Sequence, residues 1–136
     1  MNFEPRKELI PYLRLARASS DRLQMKQRDQ ALVMAGVCAA MLKIDRIAHF
    51  CRSLILQNNH GHMLKRYESF GDAIVDDNFV TYLRRLREKL DPEKARELLK
   101  QYAYVDAVRK SDYTDNESYA AAVLNVDVKW LRDHCG

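Results

Sequence analysis

The stretch RLQMKQRDQALVMAGVCAAMLKIDRIAHFCRSLILQ, Arg22 to Gln57, contains no proline and a single glycine, Gly36. Such a run predicts one long helix, or two helices bent near Gly36, and an unbroken helix would reach roughly 50 Å at 1.5 Å per residue. In its second half Ile44, Ile47, Ala48, Cys51, Leu54 and Ile55 recur at i, i+3, i+4 and i+7. That spacing makes one apolar stripe and leaves Lys43, Asp45, Arg46 and Arg52 for solvent. The first half is apolar nearly all round, as expected of a helix surrounded by others. Ala35, Gly36, Ala39 and Ala40 form a small-residue face that a neighbouring backbone could approach closely. The uncharged part, Ala31 to Leu42, is 12 residues long, short of the about 20 that a membrane span requires.

The same punctuation extends outward. Pro5 and Pro11 each suit the first turn of a short helix, where a missing N–H costs nothing. Ser19, Ser20 and Asp21 offer oxygens to cap the next start. On the other side, NNHGH (Asn58 to His62) tolerates left-handed backbone and ends the long helix. A short helix through Met63 to Phe70 is expected next, stopped by Gly71. Val75, Phe79, Tyr82, Leu83, Leu86 and Leu90 mark a further helix ending at Asp91-Pro92, and Ala95, Leu98, Leu99, Tyr102 and Val105 continue the pattern beyond it. A polar connector, SDYTDNE, comes after Lys110; it holds a capping box of Thr114 and Glu117 and a candidate subdomain boundary near 111–115. The expectation is an all-α single domain over 1–136, a bundle of five to seven helices around the apolar central one.

The chain closes with SYAAAVLNVDVKWLRDHC, Ser118 to Cys135. Here a short helix, Glu117 to Leu124, meets Asn125, a residue able to turn left-handed. Asp127 then caps a second helix, Val128 to His134. Over residues 119–134 the pattern of Ala120, Ala121, Leu124, Asn125, Val126, Asp127 and Leu131 resembles the helix-turn-helix of excisionase and MerR-type DNA-binding proteins. That resemblance implies that the second helix would lie in the major groove, with Lys129, Arg132 and His134 outward. From Ser111 onward, however, Asp112, Asp115, Glu117, Asp127 and Asp133 outnumber Lys129 and Arg132, whereas affinity for DNA begins with phosphate neutralisation. The favoured expectation is that the pair docks on the bundle through its alanines, Val126, Trp130 and Leu131. DNA binding through 115–135 is the alternative.

Composition restricts the remaining choices. Lys and Arg total 23 against 19 Asp and Glu, a net charge of +4, too mild to name a nucleic-acid partner. Three cysteines, Cys38, Cys51 and Cys135, suit neither a disulfide framework nor a metal knuckle. Together with an N-terminus unlike a signal peptide, they suggest reduced thiols in the cytoplasm. His60 and His62 are the metal candidates, with Glu68 or Asp72 as a third ligand; His49 and Cys51 lie about 200° apart on a helix and cannot share an ion with each other. The plain reading of NNHGH is a polar turn, with no metal and no cofactor. RRLREK, Arg84 to Lys89, followed by Lys94, Arg96 and Lys100, reads as a solvated face paired with Glu88, Glu93 and Glu97. Tyr102, Tyr104, Tyr113 and Tyr119 suit a core edge or a partner surface. No phosphate loop, nucleophile elbow or H-E-x-x-H is present, and Asp76 and Asp77 are adjacent rather than a turn apart. A non-catalytic interaction module, bound to a protein partner or to itself as a homodimer, is the expected function.

Overall fold

The structure, a computed structural model, describes residues 2–105 and 107–135. Eight α-helices and two 3-10 turns make up the described fold, with no strand. They are α1 (Pro5–Asp21), α2 (Met25–Met41), α3 (Asp45–Asn58), a 3-10 turn (Met63–Arg66), α4 (Phe70–Ala73), α5 (Asp77–Lys89), α6 (Pro92–Gln101), a second 3-10 turn (Lys110–Asp112), α7 (Asn116–Val123) and α8 (Val128–His134). The all-α expectation holds, with eight α-helices among the described residues where five to seven were expected.

The centre of the bundle is α2, in which every residue from Ala31 to Ala40 is buried. Around it pack α1, α3, α4 and α5, and a helix apolar on all sides needs such a sheath. The long run does divide in two, but not at Gly36. The break is at Lys43, whose φ is 62°. There the N–H of Ile44 reaches the Ala39 carbonyl at 2.9 Å and that of Lys43 reaches Ala40 at 3.1 Å. These two bonds satisfy carbonyls that the helix end leaves free. Ile44 then buries its side chain, so an apolar anchor decides the corner and glycine does not. Gly36 remains helical and provides room instead: a Cβ there would stand 2.2 Å from Cε2 of Phe70. The small-residue face therefore receives an aromatic ring from α4 at that position, where a backbone was expected.

Other boundaries also moved. One helix covers both Pro5 and Pro11, since Pro11 removes only the donor for the Lys7 carbonyl and Lys7 is exposed to water. Burial of Leu9, Tyr12, Leu13, Leu15 and Ala16 favours keeping α1 continuous. Ser19, Ser20 and Asp21 lie inside α1 and cap nothing; α2 starts after Gln24 with no side-chain cap. Gly71 lies within α4 rather than stopping a helix, while Met63–Arg66 is only a 3-10 turn. Val75 and Val105, expected on helical stripes, fall outside α5 and α6 and are exposed. Asp115, not Thr114, caps α7, accepting from the Ser118 N–H at 2.7 Å.

A charged clasp binds α5 to the start of the chain. Glu8 is only 3% exposed. Its carboxylate takes both guanidinium nitrogens of Arg87, Nη2 at 3.0 Å, as well as the Glu4 N–H at 2.7 Å. Arg87 also donates to the Asn2 carbonyl at 2.6 Å and lies over the Phe3 ring, 4.1 Å from its centroid. Arg87 thus leaves the solvated face that its neighbours Arg84 and Arg85 keep. Beside it the Tyr12 hydroxyl donates to the Leu90 carbonyl at 2.7 Å. A carboxylate this deep is stable only when its oxygens are all engaged, and removing one partner of such a pair costs about 3–5 kcal/mol.

Candidate functional site

Three places hold the residues singled out in the sequence. The first is the C-terminal pair. Asn125 takes φ 57°, and the N–H of Val126 bonds to the Ala121 carbonyl at 2.9 Å, closing the tight corner. Asp127 caps α8 through the Lys129 N–H at 2.7 Å. The pair lies against α3, with α7 also touching α1. Tyr119, Ala120, Ala121, Val123 and Leu131 are all buried there. Trp130 is 43% exposed, edge-on to Phe50 and stacked face to face with His134 at 4.4 Å. Lys129, Arg132 and His134 all lie on the exposed side of α8. Glu117 sits beside one of them: both its oxygens are 3.2 Å from Nη1 of Arg46, and Arg132 Nε is 3.9 Å away. The cationic side of α8 is therefore partly neutralised by the chain itself, and Arg84, Arg85 and Arg87 belong to α5, which packs on α2.

The second place is the end of α3. His60 is exposed, and so are Glu68 and Asp72. His62 turns inward: its Nδ1 accepts from the Leu64 N–H at 3.1 Å, its Nε2 stands 3.4 Å from the Tyr82 hydroxyl, and its ring meets Tyr82 edge-on. Accepting at Nδ1 places the proton of the neutral ring on Nε2. Burial holds the His62 pKa below the ordinary 6.5, against the opposing charge of Asp29. Asp29, which sequence reasoning passed over, is 8% exposed and accepts from Arg28 at 3.0 Å and Asn58 at 2.8 Å. Arg28 goes on to the Leu54 carbonyl at 3.0 Å, so these bonds lace the start of α2 to the end of α3. The cleft above them, about 490 Å³, is lined by Lys26, Gln30, Asn59 and Tyr82 besides Asp29, Asn58 and His62. Among the described residues, no three His, Cys, Asp or Glu side chains are arranged to hold an ion.

The third place combines two turns. Leu23 comes directly after α1 with φ 58° and is 82% exposed; Val105, beyond α6, is also 82% exposed. Arg22 ties these turns together, donating to the Tyr102 carbonyl at 2.6 Å with its guanidinium 4.4 Å from the Tyr102 ring centroid. The Tyr102 hydroxyl meets Gln27 at 2.8 Å. A leucine in left-handed backbone costs about 1 kcal/mol, and here it gains no burial in the isolated chain. The sequence signal was available: Leu23 interrupts a polar stretch between two apolar ones. Its exposure was not.

Cys38 and Cys51 are buried and free, and burial pushes each thiol up to about 12, leaving both unreactive at neutral pH. Tyr119 is core, with Tyr113 stacked on it at 6.0 Å as a lid toward solvent. Among the described residues no helix is long and apolar enough to cross a membrane. A scan of protein-family models, a search of curated proteins and a search of solved structures each gave no match to this chain.

Proposed function

We propose that the protein is a non-catalytic interaction module that meets another protein, a second copy of itself being the simplest case, at the corner carrying Leu23 and Val105. The observation that supports this reading is the exposure of two large apolar side chains, Leu23 next to Arg22 and Val105 three residues past Tyr102, where Arg22 bonds to the Tyr102 carbonyl. Apolar groups on a preordered surface lose little entropy when a partner covers them. The two core thiols fit a reducing, cytoplasmic setting. A photo-crosslinking residue placed at 23 or 105 in native cells tests it. Discrete adducts from both positions, absent when the same residue replaces Lys94, are expected; a doubled mass identifies the homodimer. No adduct from either position overturns the reading.

The exposed Lys129, Arg132 and His134 on α8, beyond the left-handed turn at Asn125, favour a second reading as a DNA-binding regulator. Its electrostatics are poor, since Glu117 already engages Arg132 and Arg46. Titration with mixed-sequence duplex at low salt decides: no binding and no salt dependence removes it.

A further inference from the structure

Three parts of the chain meet around the cleft at the end of α3. Asp29 and Gln30 belong to α2, Asn58, Asn59 and His62 to the end of α3 and the turn after it, and Tyr82 to α5. The volume of about 490 Å³ lies within the range of about 300–1,000 Å³ usual for small-molecule sites. We propose that this cleft binds a neutral polyhydroxylated ligand the size of one sugar ring, its hydroxyls bonding to the amides of Gln30, Asn58 and Asn59 and to the Tyr82 hydroxyl.

The bonds already made in the cleft decide what is left for a ligand. Asp29 is 8% exposed, and both its oxygens are engaged. Oδ1 accepts from Nε and Nη2 of Arg28 at 3.2 and 3.0 Å, and Oδ2 accepts from Nδ2 of Asn58 at 2.8 Å. That last bond fixes the Asn58 amide while leaving its carbonyl oxygen and second N–H. Asn59 accepts from the Gly61 N–H at 3.2 Å through Oδ1, which leaves its Nδ2 group. The neutral His62 ring carries its proton on Nε2, so the Tyr82 hydroxyl, 3.4 Å away, faces a donor and keeps its own proton for a ligand. The Gln30 amide has no hydrogen-bond partner among the described residues.

Gln30 and Asn58 therefore offer donors and acceptors side by side, and a hydroxyl both donates and accepts. A carboxylate or phosphate only accepts; it would leave both amide oxygens without donors and approach the Asp29 carboxylate. The charge of Asp29 is balanced by Arg28 at 3.0 Å, burial keeps His62 neutral at pH 7, and the remaining charge of the lining is the exposed Lys26. Asn58 and His62 are held before any ligand arrives, so little order is lost on binding. The groove along α6, about 540 Å³, provides the contrast: its walls are Asp91, Glu93, Lys94, Arg96, Glu97 and Lys100, from one helix and its cap, with no amide side chain.

NMR titration of the whole chain with methyl α-D-glucopyranoside, methyl β-D-galactopyranoside and myo-inositol tests this, read at the side-chain amide signals of Asn58 and Asn59. Saturable shifts with at least one of these polyols are expected. Gln30→Leu combined with Tyr82→Phe should weaken that binding at least tenfold, and Lys94→Ala should leave it unchanged. If thermal melts show the pair to be unfolded, Tyr82→Phe alone, which keeps the ring, should weaken it at least threefold. Acetate should bind more weakly than the best polyol. No saturable shift with any polyol up to about 50 mM, unaltered affinity in the folded variant, or tighter binding of acetate at the same signals overturns the proposal.

Discussion

The sequence Leu42-Lys43-Ile44-Asp45 ends α2, and Leu124-Asn125-Val126-Asp127 ends α7. Both corners have the same geometry: φ of 62° at Lys43 and 57° at Asn125, and a bond of 2.9 Å from the next residue's N–H back into the helix. Past the turn, the two chain paths diverge. Ile44 is buried and α3 lies along the central helix, whereas Val126 is half-exposed and leads into the seven-residue α8. The first corner has no side-chain cap; the second has Asp127. Tertiary burial holds one and local capping holds the other. Because the same left-handed corner also joins α2 to α3, its presence at the C-terminus is no mark of a DNA reader. What covers the second helix carries the information.

Truncating each second helix gives the largest expected effect. Ile47→Ala in α3 should cost about 3–4 kcal/mol and lower the urea midpoint of the whole chain. Leu131→Ala in α8 should cost about 2–3 kcal/mol and release amide protection only over α7 and α8. Equal costs with loss of protection throughout would break the distinction between the corners. Next comes capping: Asp127→Ala should destabilise by about 1 kcal/mol, and Asp45→Ala by only a few tenths. If Asp45→Ala matched it, the first corner would depend on local capping after all.

Smaller still is relief of the left-handed turns. Lys43→Gly should stabilise by about 0.5–1 kcal/mol, whereas Asn125→Gly should change little, because asparagine already tolerates that conformation. Thermal melts of both variants would show it; a larger gain at Asn125 would reverse the reading. The smallest effect concerns the far end of α3. Burial lowers the His62 pKa from 6.5, so the unfolded chain binds the proton more tightly. The neutral ring's contribution is complete above pH 6.5 and declines as the pH falls through the lower folded value. A His62→Gln variant should lose that slope in denaturation curves measured between neutral and mildly acidic pH.

Much of the architecture obeys local rules, and several boundaries do not. Asp91 with Pro92, Asn125, and Asp127 before Val128 act where the residue types require, because a cap or a left-handed turn needs only its own neighbours. The failures share one cause. Pro11 stays inside α1 because Leu9, Tyr12 and Leu13 are buried against the bundle, and Gly36 leaves α2 unbroken while admitting the Phe70 ring. Each outcome depended on a residue distant in sequence. The candidate sites divide in the same way. Exposure of Lys129, Arg132 and His134 could be read from periodicity, but the approach of Arg132 to Glu117, which also holds Arg46, needed the packing of α7 on α3.

The sequence alone determined an all-helical chain with a wholly apolar central segment, since hydrophobic period and capping chemistry act over one or two turns. Tertiary structure decided where that segment breaks, which charges are buried, and which apolar groups remain outside. Glu8 meets Arg87 only because α5 folds back onto α1. Gln30 and Tyr82 come to line one cleft because α5 packs on α2. Meetings across such separations depend on how whole helices share the space around α2, and no local window contains that.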